Sequence, residues 1–153
     1  MKAVVQRVKN AEVSVQGNVS GSVKTGLLVY LGVAQGDKEK DAEWMADKVA
    51  NLRIFCDDQG KMNLSLMDIQ KQKKEAGVLA ISQFTLLGEC AKGRRPYFGT
   101  AAEPEIAKGL YEYFIARIKE QGLPCEEGVF QAHMEVSCIN DGPVTILLDS
   151  AGR

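Results

Sequence analysis

Two short segments carry residue types that could do chemistry at a useful spacing: Ser82-Gln83-Phe84-Thr85 and Asn140-Asp141-Gly142-Pro143-Val144-Thr145. The first follows the apolar run Val78-Leu79-Ala80-Ile81, so its hydroxyls stand at the end of a buried strand. Hydroxyls there can reach a pocket, and the amides beside them can donate to an oxyanion formed during acyl transfer. Thr85 is the candidate nucleophile by residue type, although no base is evident beside it. A polar strand terminus with satisfied hydroxyls accounts for the same pattern. The second segment links two apolar stretches, and Asn-Asp-Gly-Pro is a strong signal for a tight turn. A Gly-Pro bond also has access to the cis form, taken by about 5–6% of X–Pro bonds in folded proteins. A cis bond would turn the neighbouring carbonyls toward an ammonium group and form a wall that a side chain cannot penetrate.

A third segment, Lys92-Gly93-Arg94-Arg95-Pro96-Tyr97-Phe98, sets three cations beside two aromatic rings. That combination suits nucleic acid, through phosphate contacts and base stacking. A solvated charged loop explains it equally well. The run Lys71, Lys73, Lys74 reads as an exposed turn.

Other chemistries find little support. His133 is the single histidine, so a site with several imidazoles is excluded and any Ser-His-Asp triad would have to use it. Its surroundings, Phe130-Gln131-Ala132-His133-Met134, contain no nucleophile elbow, and a structural or surface role is expected. Cys56, Cys90, Cys125 and Cys138 form neither a CxxC pair nor a zinc-type spacing. No GxxxxGK[ST] or GxGxxG motif is present, so neither a metal nor a nucleotide cofactor is implied.

The elements that must position these residues are legible in the periodicity. The chain has 153 residues, 45% of them apolar and 25% charged, with a formal net charge of -1. That suits one globular domain over residues 1–153, and overall charge does not mark a nucleic-acid binder. The polar N-terminal residues and the absence of a long apolar run point to a cytosolic protein with reduced thiols. Residues 2–34 read as strands, with a turn at Gly17-Asn18 and a run from Leu27 to Val33 buried on both faces. Asp37 is the expected N-cap of a helix whose apolar stripe is Ala42, Met45, Val49 and Leu52. Asp57-Asp58-Gln59-Gly60 is a turn, and residues 88–101 form a loop. A second helix is expected from Glu103-Pro104, with the stripe Ile106, Leu110, Phe114 and Ile118, ending at Gly122. Two strands, 134–139 and 144–149, complete the chain. The expectation is a β-rich α/β protein of the α+β type, with two main helices and roughly seven strands, because strict βαβ alternation is absent.

Taken together, several segments resemble the D-aminoacyl-tRNA deacylase family. They are Met1 to Val8, Leu52-Arg53-Ile54-Phe55, Gly60-Lys61-Met62-Asn63, Ser82 to Leu86, Lys92 to Pro96 and Asn140 to Thr145, in order over nearly the whole chain. The resemblance implies a homodimeric, barrel-like α/β fold. It also implies hydrolysis of the ester between a D-amino acid, or glycine mischarged on tRNA-Ala, and the terminal adenosine of tRNA. On that resemblance Gly142-Pro143 is a cis bond inserted into the partner subunit's site, where it holds the substrate amino group and excludes an L side chain. Ser82, Gln83, Phe84 and Thr85 supply the facing catalytic wall, and Phe130 and Met134 shape an adenosine pocket. Lys92, Arg94 and Arg95 are the cations expected to meet tRNA. Gln131 stands where a small glycine is expected. A nucleic-acid-binding module without catalysis, and a hydrolase of another acyl substrate, remain the alternatives.

Overall fold

Alternating burial along the first strand sets the frame. In the computed structural model, which describes residues 1–72 and 75–152, β1 spans Lys2–Val15. It pairs antiparallel with β2 (Asn18–Val23) along its second half and with β3 (Gly26–Gly32) along its first half. The two-residue turn between β1 and β2 has positive φ at both Gln16 and Gly17, the backbone that matches strand twist in a tight hairpin. β3 continues into two parallel neighbours, β6 (Gly77–Ser82) and then β7 (Cys125–Glu127). A Cβ built on Gly21 of β2 would lie 2.8 Å from the Glu127 carbonyl oxygen, so the curled sheet nearly closes on itself. Between them, β4 (Phe55–Cys56) and β5 (Met62–Leu64) form a small hairpin across the Asp57–Gly60 turn.

The sheet has two buried faces. Leu27, Val29, Leu31, Val78 and Ala80 face the helices, whereas Leu28, Leu79 and Ile81 join Val8, Ala11 and Val13 inside the barrel. The unbroken apolar runs of β3 and β6 thus follow from burial on both sides. A register shift between Val8 and Asn10 keeps Ala11 and Val13 on the inner face with Val8 despite the change of parity.

Among the described residues three helices cover the outer face, one more than the periodicity predicts: α1 (Glu39–Asn51), the short α2 (Leu66–Gln72) and α3 (Pro104–Glu120). Lys71 is exposed in the last turn of α2; Lys73 and Lys74 lie outside the described residues. Asp37 does not cap α1. Lys38 is its N-cap, and the Asp41 carboxylate accepts the Lys38 amide at 2.9 Å. Asp37 instead accepts the buried Met1 ammonium at 2.7 Å and the Ala34 amide at 2.6 Å. The α3 stripe is Leu110, Tyr111, Phe114, Ile115 and Ile118, and Ile106 is 56% exposed. Steps of four residues overrun a helical turn by about 40° each, so Ile106 has rotated off the face centred on Phe114 and Ile118, which are fully buried.

The C-terminal pair of strands is a single strand. β8 runs Glu135–Asp149 and pairs with β1 on both sides of Gly142-Pro143. The expected hairpin turn is absent because both flanks find the same partner strand. Two steps along β1, Gln6 to Val8, answer to five along β8, Thr145 to Asn140, so residues 141–144 stand out as a bulge.

Candidate active site

The end of β6 and the segments around it enclose a cleft of about 790 Å³, within the range of small-molecule sites. Its apolar floor includes Leu31, Ile81, Ala102 and Tyr111; Ser82, Gln83 and Phe84 form one bank, and Phe130 to Met134 form the other. Of the residues expected to act, Ser82, Gln83, Phe84, Phe130 and Met134 are therefore brought together. Thr85, Lys92, Arg94, Arg95, Gly142 and Pro143 do not line this cleft.

Local geometry explains the first bank. The chain leaves β6 and enters a single 3-10 turn, Phe84–Leu87. Gln83 anchors it by donating its amide to the Leu31 carbonyl at 2.8 Å. The turn lies so close over β3 that a Cβ on Gly32 would come 2.9 Å from the Gln83 carbonyl oxygen, so any larger residue there would push the bank away. Among the described residues, neither the Phe84 nor the Thr85 amide is given to an acceptor, as expected for the first donors of a helical turn. Thr85 is exposed, and its Oγ1 accepts from Gln83 Nε2 at 2.5 Å. A donor on that oxygen cannot remove its proton, so this contact gives Thr85 no general base.

The opposite bank rests on Tyr111, which the sequence reading counted neither as site nor as stripe. Its hydroxyl donates to the Ala80 carbonyl at 2.8 Å, and its ring lies 6.0 Å from that of Phe130. Burial, with Glu127 nearby, pushes the Tyr111 hydroxyl well above its ordinary pKa, so it stays a neutral donor. The signal was present in retrospect: a tyrosine inside an apolar helical stripe needs a partner for its hydroxyl. Gln131 has φ 64 at the third position of the turn closed by the Ala132 amide on the Val129 carbonyl, a place that favours glycine. His133 is exposed, as the sequence suggested, yet it lines the cleft.

The basic segment leans on the same bank. Phe98 packs edge-on against Phe84 with ring centres 5.2 Å apart, and Glu89 and Tyr97 exchange two backbone hydrogen bonds. This small ladder holds Lys92, Arg94 and Arg95 in an exposed loop, with Tyr97 64% exposed beside them.

The Gly142-Pro143 bond is cis, and both residues are exposed. Gly142 has φ 137, a backbone that favours glycine, and a Cβ there would meet Val144 Cγ2 at 2.7 Å. Arg7 fixes the bulge from behind. Its buried guanidinium donates to the Asp141 carbonyl at 3.0 Å and to the Ile54 carbonyl, with the Asp141 carboxylate 3.2 Å away. Asn140 closes the base of the bulge by accepting the Val144 amide at 2.8 Å.

Fold and cleft together define a class: a curled, two-faced sheet backed by helices, with an apolar pocket rimmed by amide and hydroxyl groups. The chain belongs to the family described as D-Tyr-tRNA(Tyr) deacylase, which it matches over residues 4–149. It is 56% identical over 153 residues to the D-aminoacyl-tRNA deacylase of Geotalea daltonii, covering 100% of this chain and 99% of the relative. It is 58% identical over 150 residues to the protein of the same name from Koribacter versatilis, covering 98% and 97%. Among solved structures it is similar to a c-Myc DNA unwinding element binding protein, with TM-score 0.86, 41% identity and coverage of 97% and 98%. A probable eukaryotic D-amino acid tRNA deacylase shares the fold, with TM-score 0.78 at 16% identity over 96% and 97% of the chains.

Proposed function

We propose that this protein hydrolyses the ester between a D-amino acid, or glycine, and the 3′-terminal adenosine of tRNA, as a step in translation quality control. The observation that carries the reading is the convergence of Ser82, Gln83 and Phe84 with Phe130 and Met134 in one cleft, in a chain of the deacylase family. Adenosine occupies the bank of Phe130 and Met134, and the ester carbonyl lies against the 3-10 turn. A water oxygen attacks the carbonyl carbon, helped by the adenosine 2′-hydroxyl. The amides of Phe84 and Thr85 take the charge developing on the carbonyl oxygen. The carbon–oxygen bond then breaks, and the 3′ oxygen leaves with a proton. No step needs a side-chain nucleophile, which suits a Thr85 that has only a donor beside it.

Gly142-Pro143 completes the site of a second copy. The exposed position of the bulge, away from the cleft of its own chain, supports this assignment. So does the outward face of β8, where Leu147 is 77% exposed. The working unit is a homodimer in the cytoplasm, where aminoacyl-tRNA is used. Lys92, Arg94 and Arg95 meet the phosphates of the acceptor end. Incubation with D-Tyr-tRNA and L-Tyr-tRNA tests the reading: release from the D form alone is expected, and equal rates on both overturn it. A sedimenting species of one chain with full activity overturns the dimer.

A second reading, nucleic-acid binding without catalysis, draws on the relative named for DNA binding and on the exposed basic loop. Salt-sensitive binding with no ester release would favour it.

A further inference from the structure

A smaller cleft of about 390 Å³ adjoins the first and is lined by Val15, Gln16, Gly17, Ala132, His133 and Glu135. Ala132 and His133 line both clefts, so the two form one trough with a waist. Each cleft also has one wall residue with an unusual backbone. Gln16 and Gln131 are the two non-glycine residues at positive φ among the described residues, and one lines each cleft. Non-glycine residues held in such conformations cluster at ligand sites.

The polar groups of the smaller cleft are one carboxylate, one imidazole and one amide. Among the described residues, none of the side chains of Gln16, His133 and Glu135 is held by a hydrogen bond or ion pair. Glu135 makes the cleft a poor phosphate site. It suits a nucleobase instead: a flat imidazole offers a stacking face, and a carboxylate accepts from the exocyclic amine of cytosine.

We propose that this smaller cleft receives the base of the nucleotide preceding the terminal adenosine, and that Glu135 selects a base with an exocyclic amino group, the cytosine of the tRNA 3′ end. The proposal deepens the deacylase reading and rests on it. With adenosine beside Phe130 and Met134, its 5′ phosphate leads over the waist at Ala132 and His133, and the next base arrives beside Glu135. Uracil in the same place would set its O4 carbonyl against the carboxylate, two acceptors with no proton between them.

The test uses the D-tyrosyl esters of CpA and UpA for turnover and the unacylated dinucleotides for calorimetric binding. The unaltered protein is expected to show kcat/KM about tenfold higher for the CpA ester than for the UpA ester, with the same preference in binding. In Glu135→Gln that ratio falls toward one, and His133→Ala weakens binding of both dinucleotides alike. Equal turnover and equal binding of CpA and UpA by the unaltered protein overturn the proposal, as does a tenfold preference that survives Glu135→Gln. Preferential CpA binding without release of any ester would sink the deacylase reading while leaving this subsite standing.

Discussion

Ser82–Thr85 and Asn140–Val144 are both polar interruptions of apolar strands, yet the fold treats them in opposite ways. The first is drawn inward. It turns over β3 above Gly32, donates to Leu31 and becomes one bank of a cleft whose other bank belongs to the same chain. The second is pushed outward between two halves of one strand and fixed from behind by Arg7. The chain thus builds the floor and both banks of this cleft by itself. It holds the other motif out as an exposed projection that does not line this cleft. Both are tied to neighbouring strands or side chains by hydrogen bonds; what differs is whether they line the cleft of their own chain.

The comparison can be broken most forcefully at Arg7. Arg7→Ala removes the buried donors to Asp141 and Ile54 and should cost about 3 kcal/mol of stability in urea titrations. An unchanged midpoint would mean that the bulge needs no support from behind. Gly142→Ala comes next, with about a hundredfold loss of D-Tyr-tRNA turnover, because its Cβ would reshape the projection while leaving the cleft of its own chain intact. Mixing it with Gly32→Leu chains, whose added side chain would push the Ser82–Phe84 bank out of place, should restore activity if the projection serves a second copy, and no recovery would place its role within one chain.

On the inward side, Tyr111→Phe should lower stability by about 1 kcal/mol, since the Ala80 carbonyl keeps the Gly128 amide as a second donor. The pH dependence gives that prediction a sign. The Tyr111 hydroxyl is held above its ordinary value of 10.0 in the folded protein, so its contribution is fully present below pH 10.0 and is lost as pH rises beyond it. Tyr111→Phe should flatten that alkaline loss in a titration of thermal midpoints. Thr85→Ala is expected to have the smallest effect, within about threefold of the parent kcat, because the mechanism uses its amide and not its hydroxyl. A loss of several orders of magnitude would make Thr85 the nucleophile.

The sequence was most readable where period and burial agree. β3 and β6 are buried on both faces, and their continuous apolar runs say so. The cleft wall at Ser82–Phe84 could be expected from a polar group closing such a run. Its partners were not legible in the same way: Tyr111 reaches the cleft from an element distant in sequence and went unread, and Phe130 was expected there from the family resemblance alone, because periodicity reports only which face is buried. Asn140–Thr145 misled for a related reason. Local turn chemistry was read correctly, but whether a chain reverses there depends on which strand each flank joins, and β1 is long enough to take both. The resemblance to a known family supplied the cis form of Gly142-Pro143, which local physics left open. Ile106 shows the limit of counting by four along a helix.

The pairing of β1 with β8 has one more consequence. β1 has its longest partner in β8, far along the chain from it, so this edge of β1 stays unpaired until residues near Asp149 are available. Such long-range pairing slows folding and leaves unpaired strand edges exposed in the interim. The growing chain would therefore carry an open β1 edge through most of its elongation, and that edge is where a chaperone or a neighbouring nascent chain would first take hold.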